Sequence, residues 1–144
     1  MTDIAFHFNA QDKLEHACRV ARKLLRQDRR LVIQASAPVL ETLDAMLWNM
    51  SAHDFVAHCQ IGDAAECVDA SPILLTQDAQ LASHHDVLLN LEDEVPDGFG
   101  RFARLIEVVS ATDETDRTAA RRRWKHYLQR GYTLERHDLV ARSA

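Results

Sequence analysis

The sequence predicts an α/β domain built on a parallel sheet, and three observations carry that expectation. Short apolar runs alternate with amphipathic stretches from the N-terminus onward, the pattern of strand–helix–strand units. Leu31-Val32-Ile33 is apolar without interruption, as in a strand covered on both faces. The length, 144 residues, fits a single domain spanning 1–144, large enough to bury a core without disulfide or metal staples.

The elements follow in order. Ile4 to Phe8 alternates apolar residues and reads as a first strand, after which Asn9 offers a helix N-cap. The next helix spans about Gln11 to Arg26, because Leu14, Ala17, Cys18, Ala21, Leu24 and Leu25 recur at helical spacing. Ser36-Ala37-Pro38 is a turn with Pro near the first helical position, and Val39 to Met50 forms a second helix with Leu40, Leu43, Met46 and Leu47 inward. Phe55-Val56, Cys67-Val68, Ile73–Thr76 and Asp86–Leu91 are short apolar pieces, of which the last two read as core strands. Glu92 to Gly100 is an acidic loop, and Leu105 to Val109 a further strand. Ser110-x-x-Asp113 has a capping-box pattern, with Thr112 or Asp113 as alternative caps for a long helix that reaches about Arg130. Gly131 stands where a helix C′ residue stands, and Tyr132-Thr133-Leu134 reads as a final short strand.

Composition narrows the function. Hydrophobic residues make up 47% and charged residues 27%, and no run of about 18 apolar residues exists to span a bilayer. The first residues lack a basic and an apolar signal region, so the cytoplasm is the expected location. Cys18, Cys59 and Cys67 show no CxxC spacing and read as small buried hydrophobes in a reducing compartment. A net charge of −5 argues against a general nucleic-acid binder, yet Arg117, Arg121, Arg122, Arg123, Lys125 and Arg130 crowd one segment.

Catalytic and cofactor patterns are missing. A nucleotide site on such a sheet needs glycines at the first strand–helix turn, and Asn9-Ala10-Gln11-Asp12 has none. Gly98-Phe99-Gly100 lies in the late acidic loop instead. Neither His84-His85-Asp86 nor His53 with His58 has metal-site spacing, and no GxSxG elbow is present. No cofactor, no metal and no catalytic residue is expected.

The last helix differs. Arg117, Arg121, Trp124 and Lys125 fall on one helical face, and Leu128 continues the stripe. Such a face offers an apolar surface with cationic groups suited to carboxylates. Spacing alone leaves two other readings open: Trp124 as core with decorating arginines, or a patch for DNA phosphates. Trp48 and Phe55 form a second candidate surface, as core or as interface anchors.

These two segments carry a resemblance. Leu43-Asp44-Ala45-Met46-Leu47-Trp48 leading into Asp54-Phe55-Val56-Ala57-His58, and Arg121-x-x-Trp124-Lys125-x-Tyr127-x-x-x-Gly131-Tyr132, resemble the chi subunit family of bacterial DNA polymerase III holoenzyme. The family commonly has Pro where this chain has Ala57, and the stretch from about Gln60 to Ser83 carries little of the likeness. The resemblance implies a three-layer, Rossmann-like α/β fold with a mostly parallel central sheet and no nucleotide site. It implies an accessory clamp-loader subunit with two partners, the psi subunit and the acidic C-terminal tail of single-stranded DNA-binding protein, a tail that ends in Phe with a free carboxylate. By position, Arg117, Arg121, Trp124 and Lys125 match the family's tail-binding residues, and Trp48 and Phe55 lie in the segment associated with psi. DNA would be contacted indirectly and no membrane is involved. Direct DNA binding through the basic helix, or a nucleotide-dependent enzyme on the same fold, are the competing functions.

Overall fold

The computed structural model describes residues 2–49, the strand at 58–60, and residues 72–140. Within these, β1 (Asp3–Ala10), α1 (Lys13–Arg26), β2 (Leu31–Gln34), α2 (Ala37–Trp48), β3 (His58–Gln60), β4 (Ile73–Thr76), β5 (Val87–Asn90), β6 (Arg104–Ser110), α3 (Glu114–Gln129) and β7 (Leu134–Asp138) follow one another. The described strands make one seven-stranded sheet in the order β3-β4-β2-β5-β6-β1-β7. Every pairing is parallel.

The layers follow from the period-2 alternation of the strands. On one face Ala10, Ile33, Ile73, Leu75, Leu89 and Val108 pack under α1 and α2. On the other, Ile4, Phe6, Val32, Leu74, Leu88, Leu105 and Val109 pack with Tyr127 and Ala120 of α3. The result is the α/β domain on a parallel sheet that the alternation predicts, in the three-layer form that the resemblance implies. The runs that read as uniformly apolar, Leu31–Ile33, Ile73–Leu75 and Val87–Leu89, are fully buried central strands, with alternate residues in the two core layers.

Three expectations are corrected. Asn9 is not a helix cap: it adopts φ 65° at a break in the β1–β6 register between His7 and Ala10, a conformation Asn tolerates better than most residues. Its side chain donates to Asp138 Oδ1 at 2.9 Å and so ties β1 to the end of β7. The cap of α1 is Asp12, whose carboxylate accepts from the Leu14 and Glu15 amides, so the helix opens at Lys13 rather than Gln11. The last strand is also displaced, from Tyr132–Leu134 to Leu134–Asp138, and its sequence Leu-Glu-Arg-His-Asp carries the polar signature of a sheet edge. The expected Phe55-Val56 and Cys67-Val68 pieces lie outside the described residues. The short edge strand β3 had no counterpart among the expected elements.

A cationic groove between the last helix and the sheet edge

Helix α3 is fixed at both ends. Of the possible caps, Asp113 serves: its carboxylate accepts from the Thr115 and Asp116 amides at 3.0 and 3.2 Å. Ser110 Oγ holds the preceding turn through the Thr112 and Asp113 amides. Asp116 accepts from the Ser110 amide at 2.8 Å and pairs with Lys13 Nζ at 2.7 Å, binding the helix start to β6 and α1. At the far end Gly131 takes φ 87°, its amide meets Leu128 O at 3.1 Å and the Tyr132 amide meets Tyr127 O at 3.2 Å. This is a Schellman motif, and it turns the chain back toward β7.

The rotation of α3 about its axis is set by a buried polar cluster. Glu107, fully buried on β6, accepts from Tyr127 Oη at 2.6 Å and from Asn90 Nδ2 at 3.0 Å. Arg123, 2% exposed, places Nε 3.1 Å from the same carboxylate without the alignment of a hydrogen bond, and donates from Nη1 to Asp93 O at 2.9 Å. Burial pushes the Glu107 carboxyl above its usual range, and Arg123, Tyr127 and Asn90 pull it back. Burial, followed by the Glu107 charge, pushes the Tyr127 phenol up, so it stays a donor. With residues 123 and 127 turned inward, the face at 117, 121, 124 and 125 is turned along the sheet edge.

There the sheet completes a groove of about 410 Å³. Phe6, Phe8, Val109 and Ala120 supply its apolar surface, and Arg117, Arg121, Trp124 and Lys125 line it from α3. Trp124 is half-buried and meets the Phe6 ring edge-to-face, with centroids 5.0 Å apart. Arg136 closes the groove from β7, with Cζ 5.2 Å from the Phe8 ring centroid, a cation–π distance. No carboxylate lines the groove among the described residues. Arg117 Nη1 lies 3.2 Å from Glu114 at the rim.

The structure thus brings together four of the five residues singled out on the last helix. Leu128 lies a turn beyond the groove and is 56% exposed. Trp124 is neither plain core nor a free surface ring, since one side packs on Phe6 and the other lines the groove. The sequence reading missed Phe6, Phe8, Val109 and Arg136. The alternation of β1 already placed Phe6 and Phe8 on one face, but only the β1–β7 pairing, which sets Arg136 beside Phe6, shows that they share a site with α3. Trp48 ends α2 in the opposite layer and is 56% exposed; Phe55 lies outside the described residues.

An aromatic floor between cationic groups suits an apolar or aromatic group bearing carboxylates. A larger cleft of about 630 Å³, on the α1 side of β1 and β6, has a different character. Its walls mix Asp12 and Glu15 with Arg19, Lys23 and Arg104, and His7 and His16 bond to each other there at 2.9 Å. Among the described residues no group of three His, Cys, Asp or Glu side chains is arranged to hold a metal ion. At the first strand–helix turn, the Asp12 carboxylate occupies the amides that a nucleotide phosphate would need, and puts negative charge there. No described helix is long and apolar enough to cross a membrane.

Residues 1–135 match the family model of the DNA polymerase III chi subunit, HolC. The chain is 30% identical over 128 residues to the DNA polymerase III subunit chi of Pseudomonas aeruginosa, covering 88% of this chain and 87% of that protein. It is 30% identical over 122 residues to the subunit of the same name from Haemophilus influenzae, covering 83% of each. With a family match along almost its whole length and the three-layer fold described above, the chain belongs to the DNA polymerase III chi subunit family.

Proposed function

We propose that the groove between α3, β1 and β7 binds the acidic C-terminal tail of single-stranded DNA-binding protein, and that the chain acts without catalysis as a clamp-loader accessory subunit. The observation that supports this most is the convergence of Arg117, Arg121, Trp124 and Lys125 around an aromatic floor that, among the described residues, no acid lines. A chain end of Phe with a free carboxylate, preceded by Asp residues, has the matching chemistry. Trp124 and Phe6 wall the terminal ring. Arg121 or Lys125 takes the terminal carboxylate through charge-assisted hydrogen bonds. Arg117, already shared with Glu114 at the rim, steers upstream Asp residues, so its effect depends on salt.

The second docking job is assigned to psi through the region of Trp48, whose exposure in the layer opposite the groove leaves room for both partners at once. One chain holding two partners raises their effective concentration without new chemistry. The test is a calorimetric titration with a short peptide ending in Asp-Phe-carboxylate and an amidated control. Binding with Kd of about 1–50 µM, lost on amidation and on Arg121→Ala, is expected. Absence of binding, together with tight and steeply salt-dependent binding of naked DNA, would favour the direct DNA-binding reading instead.

A further inference from the structure

We propose that Arg136, on the sheet side of the groove, takes a side-chain carboxylate of the docked ligand while the helix cations take its terminal carboxylate. Arg136 thereby makes the groove select a chain end with several carboxylates over one that has a single carboxylate. This rests on the tail-binding reading and adds a residue and a selectivity to it.

The first argument is position. Arg136 pairs with Phe6 in the β1–β7 register, and strand alternation sends its side chain to the face of Phe6 and Phe8, opposite the helix wall. The second is orientation. The Phe8 ring at 5.2 Å holds the guanidinium against the apolar surface and leaves its N–H edge to donate.

The third is charge. Other arginines near this edge have a carboxylate beside them within the protein: Glu107 beside Arg123, Glu114 beside Arg117, and Glu135 beside Arg104 at 3.7 Å. The acids flanking Arg136 are committed elsewhere. Glu135 faces Arg104 and His137, and Asp138 accepts from Asn9 Nδ2 and the Val140 amide. Arg121, Lys125 and Arg136 have no anionic partner among the described residues. Cations on two sides of one aromatic floor exceed what a lone carboxylate can neutralise. A ligand with carboxylates at two points satisfies both sides, and the planar fork of Arg136 suits a carboxylate better than a neutral amide.

The test is a two-by-two titration by fluorescence anisotropy at about 0.15 M salt, where long-range attraction between exposed charges is largely screened. The full chain and Arg136→Gln are each titrated with two labelled peptides. One ends in several Asp residues and Phe-carboxylate; the other has every Asp replaced by Asn and keeps the terminal carboxylate. Arg136→Gln is expected to weaken the Asp peptide about five- to tenfold and the Asn peptide less than about twofold. Arg136→Lys, which keeps charge but loses the fork, should fall between. Equal losses on both peptides, or no loss on either, would overturn the proposal. Arg136 is exposed, so unchanged thermal unfolding is expected for both variants. A wild-type chain that binds neither peptide would instead sink the tail-binding reading itself.

Discussion

Replacing Arg123 with Met is the sharpest test of how the groove is held in shape. Arg123 is 2% exposed and Glu107 fully buried, with their nearest polar atoms 3.1 Å apart. The change leaves the Glu107 carboxylate with its Tyr127 and Asn90 donors but without a counter-charge, and it orphans Asp93 O. Breaking one side of a buried pair costs about 3–5 kcal/mol. For a chain of this size that lowers Tm by about 10–20 °C. Adding Glu107→Gln should restore about 2 kcal/mol or more, because the amide can still bond Tyr127 and carries no charge.

The pH dependence has a definite sign. The folded-state pKa of Glu107 is raised above 4.5, first by burial, and losing Arg123 removes the main opposing influence. Between 4.5 and that raised value the native state holds the proton more tightly than the unfolded chain does, so acidification stabilises it there. The deficit of Arg123→Met relative to wild type should therefore shrink as pH falls from about 8 toward about 5. Urea unfolding at several pH values measures both effects. A cost under about 1 kcal/mol, or a deficit that grows toward acid, would refute the claim that a dry, charged Glu107–Arg123 pair locks α3.

Other outcomes are tied to single contacts. Arg121→Ala should weaken the tail peptide about tenfold while unfolding stays within about 0.5 kcal/mol of wild type, checked by calorimetry and urea titration, because Arg121 is exposed and has no ion-pair partner among the described residues. Asp12→Ala removes the carboxylate that caps α1 at the Leu14 and Glu15 amides and should cost about 1 kcal/mol in urea unfolding, with peptide binding unchanged. Cys18 is buried on the inward face of α1, and burial, then the Asp12 and Glu15 charges, push its thiol up to about 11. Mass-mapped thiol labelling at pH 8 should leave Cys18 unmodified in the native chain and modify it in urea.

The layers were legible in the sequence where local pattern and burial agree. Leu31–Ile33 and Ile73–Leu75 are apolar because they are buried on both faces, and the pattern carries that information directly; Leu105–Val109 reads the same way except at Glu107. The helix termini were half legible. Gly131 has one conformational reason to be where it is, whereas Asn9 and Asp12 are both good caps and the choice depends on a sheet irregularity between His7 and Ala10. The last strand was misplaced because Leu134 to Asp138 is a polar edge: Glu135 turns to Arg104 and Arg136 to the groove, and only Leu134 packs against the core. The helix half of the site could be read from spacing within one element. Its sheet half could not, since Phe6 and Arg136 meet only through a pairing across 130 residues of chain.

The three consecutive arginines show why counting charge in a segment misstates the charge of a surface. Successive residues on a helix turn by about 100°. Arg121 therefore lines the groove, Arg122 is exposed away from it, and Arg123 is buried against Glu107. Of the six cations between 117 and 130, only Arg117, Arg121 and Lys125 line the groove, and Arg117 is shared with Glu114. Arg136, outside that segment, joins them through the sheet. A field made this way is short-ranged and aimed at one apolar floor, unlike a basic stripe that follows a phosphate backbone. The arrangement that neutralises Arg123 inside the fold is also the one that points Arg121 outward, so the buried pair and the groove-lining face are two consequences of one helix rotation.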